Sequence, residues 1–498
     1  MLDRARFPEQ LPTGAATTRL KLTGVTVTGN TVIKTEELAP IYQALVGTDT
    51  SLAEMFAVAA RISALYRERG YVLSQALVPA QDIVAAGAQV RIEVLEGFID
   101  KASASGMPAG AMDAYLQPLR EQRPITLAVL ERQLLLVNEL PGVQARANLK
   151  AGSKPNASDL ELAVDRKAVD TSINVHNRVA PSQGDVRVEA GVYVRGVLGL
   201  FDQHSVRLAS SGNKQINQLS YALDLPLGAS GLKGQVNASS SRSKPETVVA
   251  NLDTSSDNVS IGLSYPVLRS RAANVGLRAQ VGGYNNSSEA AGVVSSADRI
   301  RFVRAGVSAD LVDAVGGINL LDLEWSRGLK ALGASDKSDV LLNGTEPEFN
   351  RVTLYVARLQ HLGGDWTLLA AVTAQQSNNR LPTAEQLGLG GETFLRGYDP
   401  SEAIGERGVA GKLELRFNAS MGPVEGTWYA FADAGSVKRR LVGQPDNQTS
   451  LSSAGLGLRF STNWRVRGYV ELAKPLSDLV ASKNNKDVRL FAGLGFGF

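Results

Sequence analysis

His176, His204 and His361 are the only histidines in a chain of 498 residues that has no cysteine. No two of them stand at metal-ligand spacing, and neither a GxSxG elbow nor a P-loop occurs. The expectation is no catalytic residue, no metal and no cofactor, with the histidines as strand residues facing a lumen or an interface. What remains is charge pairing by single side chains. Arg396 stands in the tetrapeptide Leu395-Arg396-Gly397-Tyr398, between Gly390-Gly391 and the glycines at 405 and 408. Its guanidinium offers a fork of donors that satisfies a carboxylate bidentately. Gly397 permits close backbone approach or a positive φ. Without context, Arg396 is one solvated charge among 52 basic residues.

The segment around Arg396 reads as a structured loop, residues 379–408, lying between runs with strand alternation. A loop of roughly thirty residues in a compact domain is functional or disordered by default, and the glycines argue for packing. Elsewhere, 52 basic against 49 acidic residues give a net charge of +3, which makes no case for nucleic acid. No window approaches the apolar length of a membrane helix; the run from Leu130 to Leu140 carries Glu131, Arg132 and Gln133. The opening MLDRARFPEQLPTG has no apolar h-region, so no signal peptide is expected in this chain.

The first third alternates between periods. Residues 19–33 carry a strand pattern with a turn signal at Gly29-Asn30. Thr35 reads as the N-cap of a helix bearing Leu38, Ile41 and Leu45, and Ser51 opens a second helix that ends at Gly70. Strands are expected at Tyr71–Val78 and Gln89–Phe98. The order then repeats, with a strand at Phe98–Ser105, helices at Ala109–Arg120 and Leu127–Glu139, and strands at Gln144–Lys150 and Ser158–Arg166. Two β-α-α-β-β modules in tandem, 19–97 and 98–168, form an internal repeat, preceded by an extension over 1–18 in which Pro8 and Pro12 suggest a linker.

From residue 169 the helical period disappears. Trp428, Ala430, Ala432 and Ala434 share one face, with Tyr429, Phe431, Asp433 and Gly435 opposite. Leu413, Leu415 and Phe417 oppose Lys412, Glu414 and Arg416, and the final segment runs its apolar face out to the last residue, Phe498. Such dyads suit a β-sandwich or a membrane barrel. Connection lengths favour the barrel. Short turns near Met421–Glu425, Ser461–Trp464 and Leu362–Asp365 alternate with long loops near 329–348, 379–408, 438–450 and 476–486, in a count of about sixteen strands. Starting from N-terminal modules on the periplasmic side, an even count places the loop with Arg396 at the external end, and parity points Asp433 into the lumen.

A barrel of this size behind two such modules, with an [LV]RG[YF] tetrapeptide between strands eleven and twelve, resembles the TpsB transporters of two-partner secretion, with POTRA-type modules. Leu381-Pro382-Thr383-Ala384-Glu385-Gln386, Gly405-Glu406-Arg407-Gly408 and Phe431-x-Asp433-x-Gly435 carry the likeness, as does Gly24-Val25-Thr26-Val27-Thr28-Gly29-Asn30-Thr31 at the first strand and turn. The resemblance implies that the loop folds back into the lumen, that Arg396 pairs with Asp433 and that Tyr398 packs on aromatics such as Phe431. It implies a bacterial outer-membrane pore, one chain per pore, embedded in outer-membrane lipid. Such a pore exports a large unfolded exoprotein, an adhesin, haemolysin or contact-dependent toxin, whose extended N-terminal segment is captured by residues 19–168 in the periplasm. An insertase of other barrels is the sister activity, but it usually carries more modules; a passive porin needs none. The plug helix of many relatives is not expected in the short stretch before Arg19.

Overall fold

The computed structural model describes residues 11–199, 201–211, 216–245 and 252–498; Pro8 lies outside them. The chain separates at Arg166/Lys167 into two compact units.

The first unit holds both modules. In the first, strand Arg19–Thr28 lies between the short strand Asp49–Ser51 and the parallel strand Ala88–Leu95, with Gln75–Leu77 on the far edge. Helix Leu52–Glu68 begins where the sequence indicates, because Ser51 and Glu54 cap each other's backbone N–H groups reciprocally. Its Met55, Val58, Ile62 and Tyr66 are buried against the alternate residues Val90, Ile92 and Val94 of the sheet.

Two expectations fail locally. Thr35 does not cap a helix: Lys34 takes that position without a side-chain bond, and the helix ends at Leu38 before two 3₁₀ turns, Ala39–Ile41 and Gln43–Leu45. Pro40 removes a backbone donor that a continued helix would need. The strand expected over 71–78 shrinks to Gln75–Leu77, because residues 71–74 turn and return the Tyr71 N–H to Tyr66.

The second module repeats the plan with strand order Phe98–Ser105, Ala157–Arg166, Val143–Ala151, the first pair parallel. Helices Asp113–Glu121 and Leu127–Asn138 belong to it. The first starts later than Ala109 because residues 108–112 form successive turns.

The second unit is a closed antiparallel barrel of sixteen strands, from Val169–His176 to Arg489–Gly497. The last strand pairs with the first, Gly493 opposite His176 and Gly497 opposite Ser172. Closure satisfies the backbone that lipid cannot hydrogen-bond. Parity sorts the side chains: Leu413, Trp428, Leu472 and Leu490 stand exposed outward, while Tyr429, Phe431, Asp433, Glu414 and Glu471 are buried inward. Trp366, Phe417 and Trp428 lie opposite one another on three adjacent strands, Trp366 and Phe417 with ring centroids 4.9 Å apart, as a rim of aromatics at one membrane interface. Phe498 is exposed at the end of the chain, and its backbone exchanges hydrogen bonds with Thr171.

Loop sorting is not uniform along the barrel. Strands seven and eight, Ala273–Ala290 and Val293–Val312, are joined on the long-loop side by Ala291-Gly292 alone, both in the left-handed region. Such a tight turn matches strand twist, so the ladder itself carries the chain outward, over 18 and 20 residues.

Glu96 ties the first module together. Its carboxylate accepts from the Thr31 N–H at 2.7 Å, the Val32 N–H at 3.1 Å and the Tyr66 hydroxyl at 2.9 Å, and from the Thr31 hydroxyl. Burial pushes this carboxyl up, but the Thr31, Val32 and Tyr66 hydrogen bonds outweigh burial and hold it below its ordinary value. A carboxyl depressed in the folded state contributes stability above its unfolded value of about 4.3, and that contribution is lost as pH falls through the folded value. Glu96→Gln should therefore lower the thermal midpoint of the module at pH 7, and melts of the intact protein followed downward from about pH 4.3 should converge with those of the parent. A constant difference at all pH values would contradict the assignment.

Candidate functional site

Residues 378–406 connect strand eleven, Trp366–Ser377, to strand twelve, Arg407–Met421. The loop is more ordered than its sequence indicates. It contains a 3₁₀ turn at Thr383–Glu385 and a small hairpin in which Leu387–Leu389 pairs with Ala403–Gly405. Leu389, Phe394, Leu395 and Tyr398 form a core of their own and pack on the small wall residues Ala371 and Ala410. This apolar seat places the charged tip.

At the tip the residue with positive φ is Leu395, at 58°, and Gly397 is not left-handed. Gly397 serves close approach: a Cβ there would sit 2.9 Å from the Pro475 backbone nitrogen and 3.0 Å from the Lys474 carbonyl carbon. Gly435 is equally constrained, since its Cβ would meet that of Ala410 at 2.8 Å.

Arg396 is 2 % exposed and reaches the wall of strand twelve, strand thirteen (Val424–Arg439) and strand fifteen (Val466–Pro475). Its Nε and Nη2 donate to the two oxygens of Asp433 at 3.0 and 2.8 Å, and its backbone N–H adds a third bond to Oδ2 at 3.0 Å. Nη1 donates to Glu414 at 2.5 Å and lies 3.8 Å from Glu471. The guanidinium carbon sits 3.5 Å from the centroid of the Phe431 ring. The guanidinium on Phe431 is thus that of Arg396, in the place where the resemblance implies Tyr398. Tyr398 instead packs in the loop core, exchanges hydrogen bonds at 3.1 Å with the backbone of Asp478 and lies 3.1 Å from the Ser477 hydroxyl.

A cation this far from water is held only where carboxylates and hydrogen bonds replace its hydration. Glu414 and Glu471 are 1 % and 3 % exposed, so both carboxylates are as buried as the guanidinium they meet. Glu414 is balanced further by Arg416 and Arg459, both at 2.7 Å, and Glu471 by Arg178 at 2.5 Å and the Tyr429 hydroxyl at 2.8 Å.

Arg178 follows the first barrel strand and also donates to the carbonyls of Gly391 and Arg396, at 3.0 and 3.2 Å. Arg489, on the last strand, donates to the Gly397 carbonyl at 3.2 Å and to Asp399 at 2.5 Å. The loop is therefore bonded to the strands on both sides of the barrel's closing pair.

Parity places Glu414 on the lumenal face without a role, and likewise Arg489, opposite the apolar face that ends in Phe498; Glu471 and Arg178 carry no motif and were missed. The same alternation that found Asp433 also puts Glu471 inward, between the outward Val470 and Leu472. What it cannot supply is which inward residues meet across the lumen. Of the histidines, His176 is half-buried and His361 exposed, while the His204 Nδ1 lies 2.8 Å from the Tyr221 hydroxyl.

Residues 156–460 match the model of the haemolysin secretion/activation proteins ShlB/FhaC/HecB, and residues 20–97 match a POTRA domain of ShlB type. The chain is 27 % identical to the outer membrane transporter CdiB of Dickeya dadantii over 81 % of its length and 73 % of that protein. It is 23 % identical to the heme/hemopexin transporter protein HuxB of Haemophilus influenzae, over 90 % of its length and 82 % of that protein. The solved structure of CdiB from Escherichia coli has the same fold, with a TM-score of 0.79 at 19 % identity, covering 99 % of this chain and 93 % of that one. A closed barrel of sixteen strands behind POTRA modules, matched to the family model over most of its length, belongs to the haemolysin secretion/activation family, the outer-membrane transporters that export partner proteins in two-partner secretion.

Proposed function

We propose that the pore is closed at rest by loop 378–406, that the Arg396 cluster is the latch that holds it, and that residues 19–168 capture the exoprotein before it passes. The observation that carries this reading is a guanidinium 2 % exposed, on a loop anchored to strands twelve, thirteen and fifteen at once. Breaking a buried ion pair by removing one partner costs about 3–5 kcal/mol, because the other charge stays buried and unpaired. The latch is therefore strong, and it is reversible because every contact in it is non-covalent. Arg396, Gly397, Tyr398, Phe431, Asp433 and Gly435 are its working parts. The protein acts as a transporter and not as an enzyme, with one chain forming one pore in outer-membrane lipid.

Capture has a physical basis in the second module. A closed barrel offers no strand edge, whereas Val143–Ala151 lies at the edge of its sheet, paired on one side only. Its Ala145 N–H turns away from the ladder and meets the Asn138 side chain at 2.8 Å. By the same parity the Ala147 N–H faces outward, and an extended segment adds here by main-chain hydrogen bonds. The cargo is a large exoprotein, an adhesin, haemolysin or contact-dependent toxin; its folding outside the cell drives the movement.

Arg396→Ala should cut export roughly tenfold or more while the barrel still inserts and resists heat in detergent. Arg396→Lys should rescue little, because a point charge cannot fork onto Asp433 and reach Glu414 together. Normal secretion by either variant, measured as exoprotein in the medium, would remove the latch. Ala147→Pro deletes one outward donor on an edge strand, where proline is tolerated. It should weaken binding of the exoprotein's N-terminal segment to the periplasmic unit several-fold, with module stability unchanged; equal affinity would move capture elsewhere.

A further inference from the structure

A second buried charge of the loop lies away from the Arg396 cluster, and its sign is reversed. Glu385 ends the 3₁₀ turn and is 0 % exposed. Arg304 on strand eight donates to its Oε1 at 2.7 Å, and Arg351 on strand ten (Asn350–Gly363) approaches its Oε2 at 2.7 Å. Arg351 also donates to the Glu385 backbone carbonyl at 3.3 Å, which accepts from Gln375 at 3.0 Å as well.

The wall is built to receive this carboxylate. The Arg304 guanidinium stacks 3.9 Å from the Phe302 ring centroid, and Arg351 is steadied by Ser326 at 3.0 Å and Glu324 at 3.3 Å. The Nε groups of both arginines are buried without an acceptor among the described residues. Glu385 is the only loop carboxylate that meets these two cations among the described residues. Beside it, Leu381 is fully buried with Ile300, Phe302 and Phe349, an apolar contact that fixes the turn's position.

We propose that Glu385 is a positioning residue, a second anchor of opposite polarity to Arg396, and that the loop leaves the lumen only when both anchors are broken. Two anchors of opposite sign have a consequence for the lumen. When the loop departs, Arg304 and Arg351 on one side and Asp433 on the other lose their loop partners together, beside wall charges that stay paired, Glu324 with Arg351, Glu414 with Arg416 and Arg459, and Glu471 with Arg178. A passing chain then meets compensating charge of both signs, and neither acidic nor basic segments are trapped on a wall of one sign. Either anchor alone keeps the loop seated, so their losses combine non-additively.

This rests on the latch reading, and the test separates the two. Since the chain has no cysteine, Ala403→Cys in the buried loop hairpin gives one reporter for a membrane-impermeant maleimide, read on the intact protein whether or not it exports. Labelling should be slow in the parent, in Glu385→Gln and in Arg396→Ala. In the Glu385→Gln/Arg396→Ala double variant it should be at least about tenfold faster than in either single variant. Arg304→Gln/Arg396→Ala, altered from the wall side, should behave like that double variant and serves if the first fails to insert. Labelling of the doubles no faster than Arg396→Ala alone would overturn the second anchor, as would full labelling of Arg396→Ala by itself. Export by Arg396→Ala reports separately on the latch.

Discussion

A guanidinium without water is the constraint around which the barrel is arranged. Removing a cation of this size from solvent costs several kcal/mol even after relaxation, and carboxylates at hydrogen-bonding distance must offset it. Asp433 supplies two oxygens to Arg396, and Glu414 and Glu471 complete the shell from neighbouring strands. Because the three acids sit on strands twelve, thirteen and fifteen, the register of the wall is coupled to the loop. A slip of one residue in strand thirteen would send Asp433 into lipid and Ala432 or Ala434 into the lumen.

The two units divide the work along a line set by hydrogen bonding. Lipid tolerates no open edge, so the membrane unit closes its last strand on its first and, among the described residues, leaves no strand edge for a partner. The modules sit in water and keep edges that an extended chain can join. Their own stability comes from compact apolar cores and from polar ties such as Glu96, which links the first turn, the buried Tyr66 and the end of the sheet.

Legibility followed the periodicity of the chain. The capping pair Ser51/Glu54, the alternation in Trp428–Gly435 and the turn–loop sorting each rest on neighbours a few residues apart, and each led to the element found. Errors arose where distant contacts or a single local residue decided. Pro40 cut a helix that the apolar stripe alone extended, and Ala291-Gly292 replaced an external loop by a turn between strands that run on. Phe431 received a guanidinium instead of a tyrosine ring, because Tyr398 had a better seat beside Leu389 and Phe394 and a hydrogen bond to reach at Asp478.

By itself the sequence determined which residues face lipid, which face the lumen, and that two α+β modules precede a barrel of an even number of strands, since dyad and helical periods are local properties of the chain. It also marked Arg396 and Asp433 through a motif, and Glu414 as inward. Only the tertiary structure decided that Glu471 completes that cluster, that Arg178, just past the first barrel strand, and Arg489, on the last, bind the loop backbone, and that Glu385 lies between Arg304 and Arg351. These pairs are separated by tens to hundreds of residues and meet across the lumen, where shear and curvature of the closed sheet, and not spacing along the chain, determine which charges become neighbours.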